Sequence, residues 1–168
     1  MLNGKELDKE CIITGHLREN LTQHGCDLRL KRASIVKGQG FIPVKGKTML
    51  PSYEELKPYE DINGNMVWHF EPGYYIIDFV EGCKIPKDKM GMMVQRSSLA
   101  RCGAWIHSSI FDAGFRTESM CCFMEVFHPL TIEVNARVAQ FYCYDCTEVS
   151  EGDLYKGQYQ NDKQRNGN

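Results

Sequence analysis

Two polar stretches of this chain carry residue types that suit chemistry on a polyphosphate. Residues 95–101 (QRSSLAR) combine two arginines with two serines, and arginine offers planar, permanently charged donors to phosphate oxygens. Asp112 begins the second stretch, Asp-Ala-Gly-Phe-Arg, and a carboxylate beside a water molecule can act as a general base. Taken singly, the first stretch also suits a helix start with outward-facing arginines, and the second suits a turn.

The elements predicted around these stretches are short β-strands. Alternating apolar and polar residues at 26–30 are typical of a half-buried strand. Turn signals such as Asn63-Gly64 separate many of the other runs. Those runs, rich in β-branched and aromatic residues, are 66–70, 74–79, 90–94, 120–127, 130–134 and 138–144. Many short strands without a long helical period predict an all-β fold of the sandwich or jelly-roll type.

Three regions depart from the strand pattern. Asn3 and Glu6 have capping-box spacing, which predicts a short N-terminal helix. Residues 31–65 contain an acidic, proline-punctuated stretch and are predicted to be irregular. Residues 161–168 have nothing to bury, so we expect one domain over residues 1–160 followed by a flexible tail.

The overall composition excludes several classes of partner. The 168 residues include 20 Lys and Arg and 22 Asp and Glu, a formal net charge of −2. No general field would hold such a chain on nucleic acid or an anionic membrane, so an anionic substrate requires a local basic site. The sequence has no membrane-length apolar run and its N-terminus is too charged for a signal peptide. A cytoplasmic protein with reduced thiols at its eight cysteines is expected.

Six segments of the chain stand in a familiar order, and from residue 23 to residue 160 the sequence resembles the dUTPase and dCTP deaminase superfamily. Any one of the segments could occur by chance, but six in order are a specific signal. They are the first motif (QHGCDLRL, 23–30), the strand before the second (EPGY, 71–74), the second motif (QRSSLAR, 95–101), the third (IFDAGFR, 110–116), the fourth (NARVAQ, 135–140), and a tail like that of the deaminase branch (YKGQYQ, 155–160).

The resemblance implies an architecture and a cofactor. The subunit would be a distorted jelly roll of the dUTPase-like β-clip type, and three subunits would form a homotrimer with active sites at the interfaces. Mg²⁺ would sit on the triphosphate, where a lone Asp27 acting through water would suffice. Backbone groups of residues 107–111 would line the pocket for the base.

Individual roles also follow from the resemblance. Asp112 would hold the sugar 3′-hydroxyl and orient the water that attacks the α-phosphate. Phe115 would pack against the deoxyribose, although an ordinary core position also suits it. The remaining residues implied to bind the nucleotide are Arg96, Ser97, Ser98, Arg101, Gln140, Tyr155, Tyr159 and Gln160.

One position separates the two activities of the superfamily. Where deaminases carry a proton-shuttling glutamate, a gapless alignment of the third and fourth motifs places Cys122, and a thiol replaces a carboxylate poorly. Glu125 could restore deamination if a bulge brought it round to the face of Cys122, and Glu118 in the preceding turn is a looser candidate. Against dUTP hydrolysis, the chain lacks the glycine-rich C-terminal motif of dUTPases, and Thr117 replaces an expected glycine.

Zinc chemistry is a weaker alternative. Residues 69–71 and 143–146 resemble fragments of a zinc-dependent deaminase. A strand through residues 141–144 would send Cys143 and Cys146 to opposite faces, which does not suit a shared metal.

The sequence therefore predicts a dUTP diphosphatase that converts dUTP and water to dUMP and diphosphate. Three alternatives stay open: a zinc-independent dCTP deaminase, a bifunctional deaminase and diphosphatase, and a catalytically weak nucleotide-binding regulatory trimer. A modified deoxyuridine or deoxycytidine triphosphate is a further possible substrate. The expected partners are the nucleotide and two further copies of the chain, with neither nucleic acid nor membrane.

Overall fold

A computed structural model describes residues 1–160, and the predicted tail at 161–168 lies outside the described residues. Within residues 1–160 the α-helices are α1 (Gly4–Lys9) and α2 (Ser97–Arg101). The strands are β1 (Ile13–Thr14), β2 (Leu21–Thr22), β3 (Gly25–Lys37), β4 (Ser52–Leu56), β5 (Tyr59–Glu60), β6 (Met66–Phe70), β7 (Gly73–Phe79), β8 (Gly82–Lys84), β9 (Lys89–Gln95), β10 (Ala104–His107), β11 (Arg116–Thr117), β12 (Cys121–Val126), β13 (Leu130–Glu133) and β14 (Arg137–Asp145). This content confirms the all-β prediction.

Strand β3 is the centre of the main sheet. The sheet has eight antiparallel strands in the order β10-β12-β7-β3-β14-β9, with β2 and β4 paired to β3 outside this path. The pairing of β3 with β7 shifts register between Leu30 and Arg32. The N-terminal half of β3 pairs with β14, and its C-terminal half pairs with β7 on one side and with β4.

Part of the predicted irregular region is regular. Residues 31–37 continue β3, and residues 52–56 form β4, which pairs with it. No residue of β4 is buried. The segment therefore lacks the alternation of apolar and polar residues that predicts a half-buried strand. The prediction of an irregular segment over 31–65 was wrong there, because backbone hydrogen bonds between the two strands, which need no buried side chains, form these elements.

Two three-stranded sheets, β1-β8-β11 and β13-β6-β5, accompany the main sheet. Buried residues of all three sheets form the core. Phe70, Phe79 and Phe141 are fully buried and come from three different strands. Helix α1 adds Leu7 to the same cluster. Its predicted capping box is confirmed, because the Glu6 backbone N–H donates to Asn3 Oδ1 at 3.0 Å and the Asn3 N–H donates to Glu6 Oε2 at 2.8 Å.

A buried ion pair fastens β3 to Glu81, the residue that precedes β8. Glu81 is completely buried and accepts from Arg29 twice, from Nε at 2.6 Å and from the backbone N–H at 2.8 Å. Arg29 also donates to the Gly15 carbonyl at 2.7 Å. Each charge is thus compensated by several contacts, as a buried carboxylate requires.

The eight cysteines are free thiols in very different surroundings. Burial raises the pKa of Cys26 and of Cys143 to about 12, and it raises the pKa of Cys122 well above the ordinary thiol value. Cys11, Cys102 and Cys146 are exposed instead.

Among the helices within residues 1–160, none is long and apolar enough to cross a bilayer.

Candidate active site

The segment of the predicted third motif borders a cavity of about 320 Å³. Asp112 and Phe115 line it from that segment, and Tyr155 and Tyr159 line it from the C-terminal region. The remaining lining residues are Leu50, Tyr53, Ile76, His107, Ser109, Ile110, Phe111, Cys121, Cys122 and Phe123. The wall is therefore mostly apolar, with one carboxylate and one imidazole in it.

A tight turn sets the positions of Asp112 and Phe115. The Phe115 N–H donates to the Asp112 carbonyl at 3.0 Å, and Gly114 has φ +86°, a conformation that favours glycine. A Cβ at Gly114 would also lie 2.9 Å from Leu154 Cβ. The predicted turn chemistry of Asp-Ala-Gly is present here, and it directs the exposed Asp112 carboxylate toward the cavity.

The end of the described chain folds back over this turn. Tyr155 donates its backbone N–H to the Ala113 carbonyl at 2.9 Å, and its ring meets the Phe115 ring edge-on at 5.4 Å. Gln160 uses both ends of its amide, since Oε1 accepts from the Arg116 N–H at 2.9 Å and Nε2 donates to the Gly114 carbonyl at 2.8 Å. In this arrangement Gln160 anchors the segment, whereas its predicted contact with the nucleotide stays a prediction.

A second contact joins this segment to the loop after β3. The Thr48 N–H donates to Gln158 Oε1 at 3.2 Å, and Leu50 and Tyr53 from the same region line the cavity. The loop and the C-terminal segment together cover the cavity that holds Asp112.

The predicted first, second and fourth motifs meet at a different place. Asp27 Oδ2 lies 3.1 Å from Arg96 Nε and 3.5 Å from an Arg137 guanidinium nitrogen. Gln140 is the direct cross-strand partner of Asp27, so both side chains leave the sheet on the same face. The Gln140 amide donates to Thr22 Oγ1 at 2.7 Å. We call Asp27, Arg96, Arg137 and Gln140 the basic cluster.

Burial and charge act against each other at Asp27. The carboxylate is buried, which raises its pKa above the ordinary value, while Arg96 and Arg137 lower it to a smaller extent. Within residues 1–160, Oδ1 makes no ion pair or side-chain hydrogen bond. A carboxylate with one unused oxygen suits a water-mediated contact to Mg²⁺.

Helix α2 begins directly after the basic cluster. Ser97, Ser98 and Arg101 belong to it, and all three are exposed. They therefore extend the polar surface around Arg96 without entering the core. The predicted helix start at Ser97 or Ser98 agrees with this element.

The structure does not bring the cavity and the basic cluster together within one chain. Of the residues predicted to bind the nucleotide, Phe115, Tyr155 and Tyr159 line the cavity with Asp112. Arg96, Gln140 and Asp27 do not line it, and neither do the polar residues of α2. Each chain thus carries two separate parts of the predicted site.

The orientation of β12 bears on the predicted deaminase position. The side chain of Cys122 borders the cavity but belongs to the core and is only 5% exposed. Its neighbours Cys121 and Phe123 also line the cavity and are half-buried on the opposite face of the strand. The pairing of β12 with β7 and with β10 has no register shift, so the strand has no bulge. Glu125 therefore lies on the face of Phe123, opposite to Cys122, as strand alternation predicts, and the bulge that would have brought it round is absent from β12.

Two site residues had no predicted side-chain role. Arg137 lies inside the fourth motif, yet only the fold shows that it reaches Asp27. His107 lines the cavity, and its Nε2 lies 3.0 Å from Glu125 Oε2. The sequence signal that could have found His107 is the alternation of side chains along a strand. The pairing of β10 with β12 places His107, Phe123 and Glu125 on one face of the sheet.

Comparison with known proteins identifies the class. A family model for dCTP deaminase-like proteins matches residues 4–146, so the chain belongs to the dCTP deaminase-like family. Among its relatives, the deoxyuridine 5′-triphosphate nucleotidohydrolase of Methanocaldococcus jannaschii is 35% identical over 147 residues, covering 83% of this chain and 88% of the relative. A probable deoxyuridine 5′-triphosphate nucleotidohydrolase of Methanosarcina acetivorans is 32% identical over 174 residues, covering 96% of this chain and 97% of the relative.

A solved structure shares the fold. The 2′-deoxycytidine 5′-triphosphate deaminase of Agrobacterium tumefaciens superposes with a TM-score of 0.60 at 16% identity, over 84% of this chain and 46% of that chain. The family model and the two relatives confirm the family resemblance found in the sequence.

Proposed function

We propose that this protein is a dUTP diphosphatase, which hydrolyses dUTP to dUMP and diphosphate. The observation that carries the proposal is the Asp112 carboxylate in a mostly apolar cavity, next to Phe115 and under the C-terminal segment. The relatives named above as deoxyuridine 5′-triphosphate nucleotidohydrolases support the choice of substrate.

In the proposed mechanism Asp112 acts as the general base. It accepts a proton from a water molecule as the water oxygen forms a bond to the α-phosphorus, and the bond from that phosphorus to the bridging oxygen of the diphosphate breaks. Phe115 packs against the deoxyribose. An apolar wall excludes other water and strengthens the interaction of the carboxylate with its water.

The basic cluster supplies the charge that the cavity lacks. Arg96 and Arg137, with Ser97, Ser98 and Arg101 beside them, would hold the phosphates and stabilise the charge that develops on the leaving diphosphate. Because the cluster lies apart from the cavity of the same chain, we propose that a complete site combines the cavity of one subunit with the basic cluster of a neighbour. A homotrimer of distorted jelly-roll subunits would contain three such sites.

Asp27 is the residue proposed to face Mg²⁺ through water. Bound to the triphosphate, Mg²⁺ would neutralise phosphate charge and orient the phosphates for in-line attack. Asp27 would also hold Arg96 in place through the ion pair at 3.1 Å.

Deamination of dCTP is the second candidate activity, favoured by one observation. Glu125 lies on the face of β12 that carries Phe123, and it reaches His107; Phe123 and His107 both line the cavity. Cys122 cannot fill the proton-shuttling role itself, because its thiol is buried and its pKa is raised further from neutrality. A nucleotide-binding regulatory trimer would bind without turnover, and a role for Asp112 as a base argues against it.

Mixed trimers test the proposed site and reaction together. Asp112→Asn and Arg96→Ala variants should each be inactive in diphosphate release from dUTP. After co-refolding in equal amounts, about one site in four would join an intact Asp112 to an intact Arg96, so roughly a quarter of the wild-type rate should return. An equal mixture of Asp112→Asn with Asp112→Ala is the matched control and should stay inactive.

The possible results separate the proposals. If the wild type converts dCTP to dUTP and releases no diphosphate, the diphosphatase assignment is wrong. Binding of both nucleotides without turnover would support the regulatory reading instead. If the wild type hydrolyses dUTP but mixing restores nothing, the reaction stands and the shared site is wrong.

A further inference from the structure

His107 is an unassigned polar side chain of the cavity wall. It is the last residue of β10 and precedes the segment that leads to Asp112. Histidine is the side chain that most readily changes between donor and acceptor near neutral pH. Its cross-strand partner Phe123 and Ile76 on β7 also line the cavity, so the imidazole stands at an otherwise apolar wall.

Glu125 fixes the role of one ring nitrogen. Its Oε2 lies 3.0 Å from His107 Nε2, and an ionised carboxylate can only accept, so Nε2 carries a hydrogen. The reach is diagonal on the sheet, because Glu125 stands opposite Trp105, two residues before His107. Nδ1 has no hydrogen-bond partner among residues 1–160, and its state then depends on the charge of the ring. The neutral ring accepts at Nδ1, and the protonated ring donates there.

A role for His107 at the base rests on the proposed function. With Phe115 at the sugar, the base extends toward the segment 107–111 and the wall of Ile76, Phe123 and His107. Uracil and cytosine differ at position 4, where uracil carries a carbonyl acceptor and cytosine an amino donor. A single imidazole nitrogen can distinguish these two groups, and a mismatch leaves a partner unpaired.

We propose that His107, positioned by Glu125, is a specificity-determining residue that contacts position 4 of the pyrimidine. The protonated ring donates to the uracil carbonyl, and the neutral ring accepts from the cytosine amino group. Base preference therefore shifts from uracil toward cytosine as pH rises. Besides Glu125, the titratable groups around His107 on the strands and segments that form the cavity are Tyr53, Tyr74, Asp112, Cys121, Cys122, Tyr155 and Tyr159.

Equilibrium binding to the full-length protein with Mg²⁺ tests this preference without turnover. The probes are the α,β-imido analogues of dUTP and dCTP, with Kd measured by calorimetry between about pH 5.5 and pH 8. Both probes carry the same triphosphate, so an effect of pH on phosphate binding is common to both and cancels in the Kd ratio. The wild-type ratio should move toward the cytosine analogue by about fivefold to tenfold, the equivalent of one hydrogen bond.

Three variants isolate the imidazole and its carboxylate. His107→Phe and His107→Gln should each give a ratio that no longer changes with pH. Glu125→Gln should reduce the change, because an amide can also donate to Nε2 and leave the hydrogen on Nδ1. Glu133→Gln is the matched control and should behave as the wild type, since Glu133 is exposed on β13, outside the main sheet.

The outcomes distinguish this inference from the proposed function. If His107→Phe keeps the wild-type pH dependence, or if the wild-type ratio does not vary with pH, the role of His107 is wrong while nucleotide binding stands. If the wild type binds neither analogue, the proposed function itself fails.

Discussion

Asp27 and Arg96 form an ion pair, with 3.1 Å between Oδ2 and Nε, that joins the central strand β3 to the start of helix α2. The carboxylate is buried and the guanidinium is about one-third exposed. The Arg96 guanidinium therefore lies at the surface, and the buried Asp27 carboxylate holds it in position. An anion could bind the exposed side of the guanidinium without a large rearrangement of the side chain.

Replacing Asp27 should stabilise the fold while impairing catalysis. Its pKa is raised by burial despite the two arginines, so folding favours the protonated acid. The contribution of Asp27 is most favourable below the unfolded-state pKa of about 3.9 and is lost as pH rises through the higher folded-state pKa. Asp27→Asn should thus unfold at higher urea concentration than the wild type at pH 7, and the difference should shrink as pH falls toward 4.

Catalysis gives the second half of that test. Asp27→Asn should lower kcat/KM for dUTP, and the loss should not be recovered by added Mg²⁺ if the carboxylate holds the metal-bound water. Asp153→Asn serves as a control, because Asp153 is exposed and accepts from Ser150 outside the cluster. Equal stability profiles for wild type and Asp27→Asn would contradict the assigned cost of burial.

Asp112→Asn should abolish turnover while leaving nucleotide affinity within about tenfold, since the carboxylate acts on the transition state more than on the bound substrate. The amide keeps the size of the side chain and the turn to Phe115, whose hydrogen bond uses the Asp112 backbone carbonyl. Diphosphate release and calorimetric binding measure the two quantities separately. A normal rate in this variant would remove Asp112 as the base.

Glu81→Ala should destabilise the protein by about 3–5 kcal/mol, because it leaves Arg29 without its buried partner. Thermal and urea unfolding provide the measurement. Glu148→Ala is the matched control, since Glu148 and Lys87 form an exposed ion pair at 2.7 Å whose loss should have little effect on stability. Similar losses of unfolding free energy in the two variants would show that the buried Glu81 pair contributes no more to stability than an exposed ion pair.

Gln160→Ala should loosen the segment over the cavity. Two hydrogen bonds disappear, each contributing about 0.5–1.5 kcal/mol. Hydrogen exchange should become faster at the Tyr155 amide, and KM for dUTP should rise several-fold. Lys156→Ala, which removes only a contact to the Gly152 carbonyl in the same segment, should leave both unchanged. Unaltered exchange in Gln160→Ala would mean that the segment is held elsewhere.

Much of the fold could be predicted because its signals are local. The capping box at Asn3 and Glu6 and the apolar runs of β7 and β14 each depend on a few neighbouring residues. The strand β4 could not be predicted in this way, since its side chains are not buried and its formation depends on pairing with the distant β3.

The candidate site was partly within reach of the sequence for a similar reason. The third-motif turn is local, and it places Asp112 and Phe115 in one cavity. The contact of Arg137 with Asp27 depends on the pairing of β14 with β3 and on a register shift after Arg137. No short stretch of sequence encodes that shift, so the contact appears only when the strands are aligned.

Because the cysteines differ widely in burial, their reactivity can report local opening of the fold. Cys26 and Cys143 lie on the paired strands β3 and β14, and their thiols are shielded and hard to ionise. An alkylating reagent would therefore label Cys11, Cys102 and Cys146 at once and the inner thiols only when the strands separate. Mass spectrometry of such a reaction would give the rate at which each buried cysteine of the central sheet becomes exposed, without any engineered cysteine.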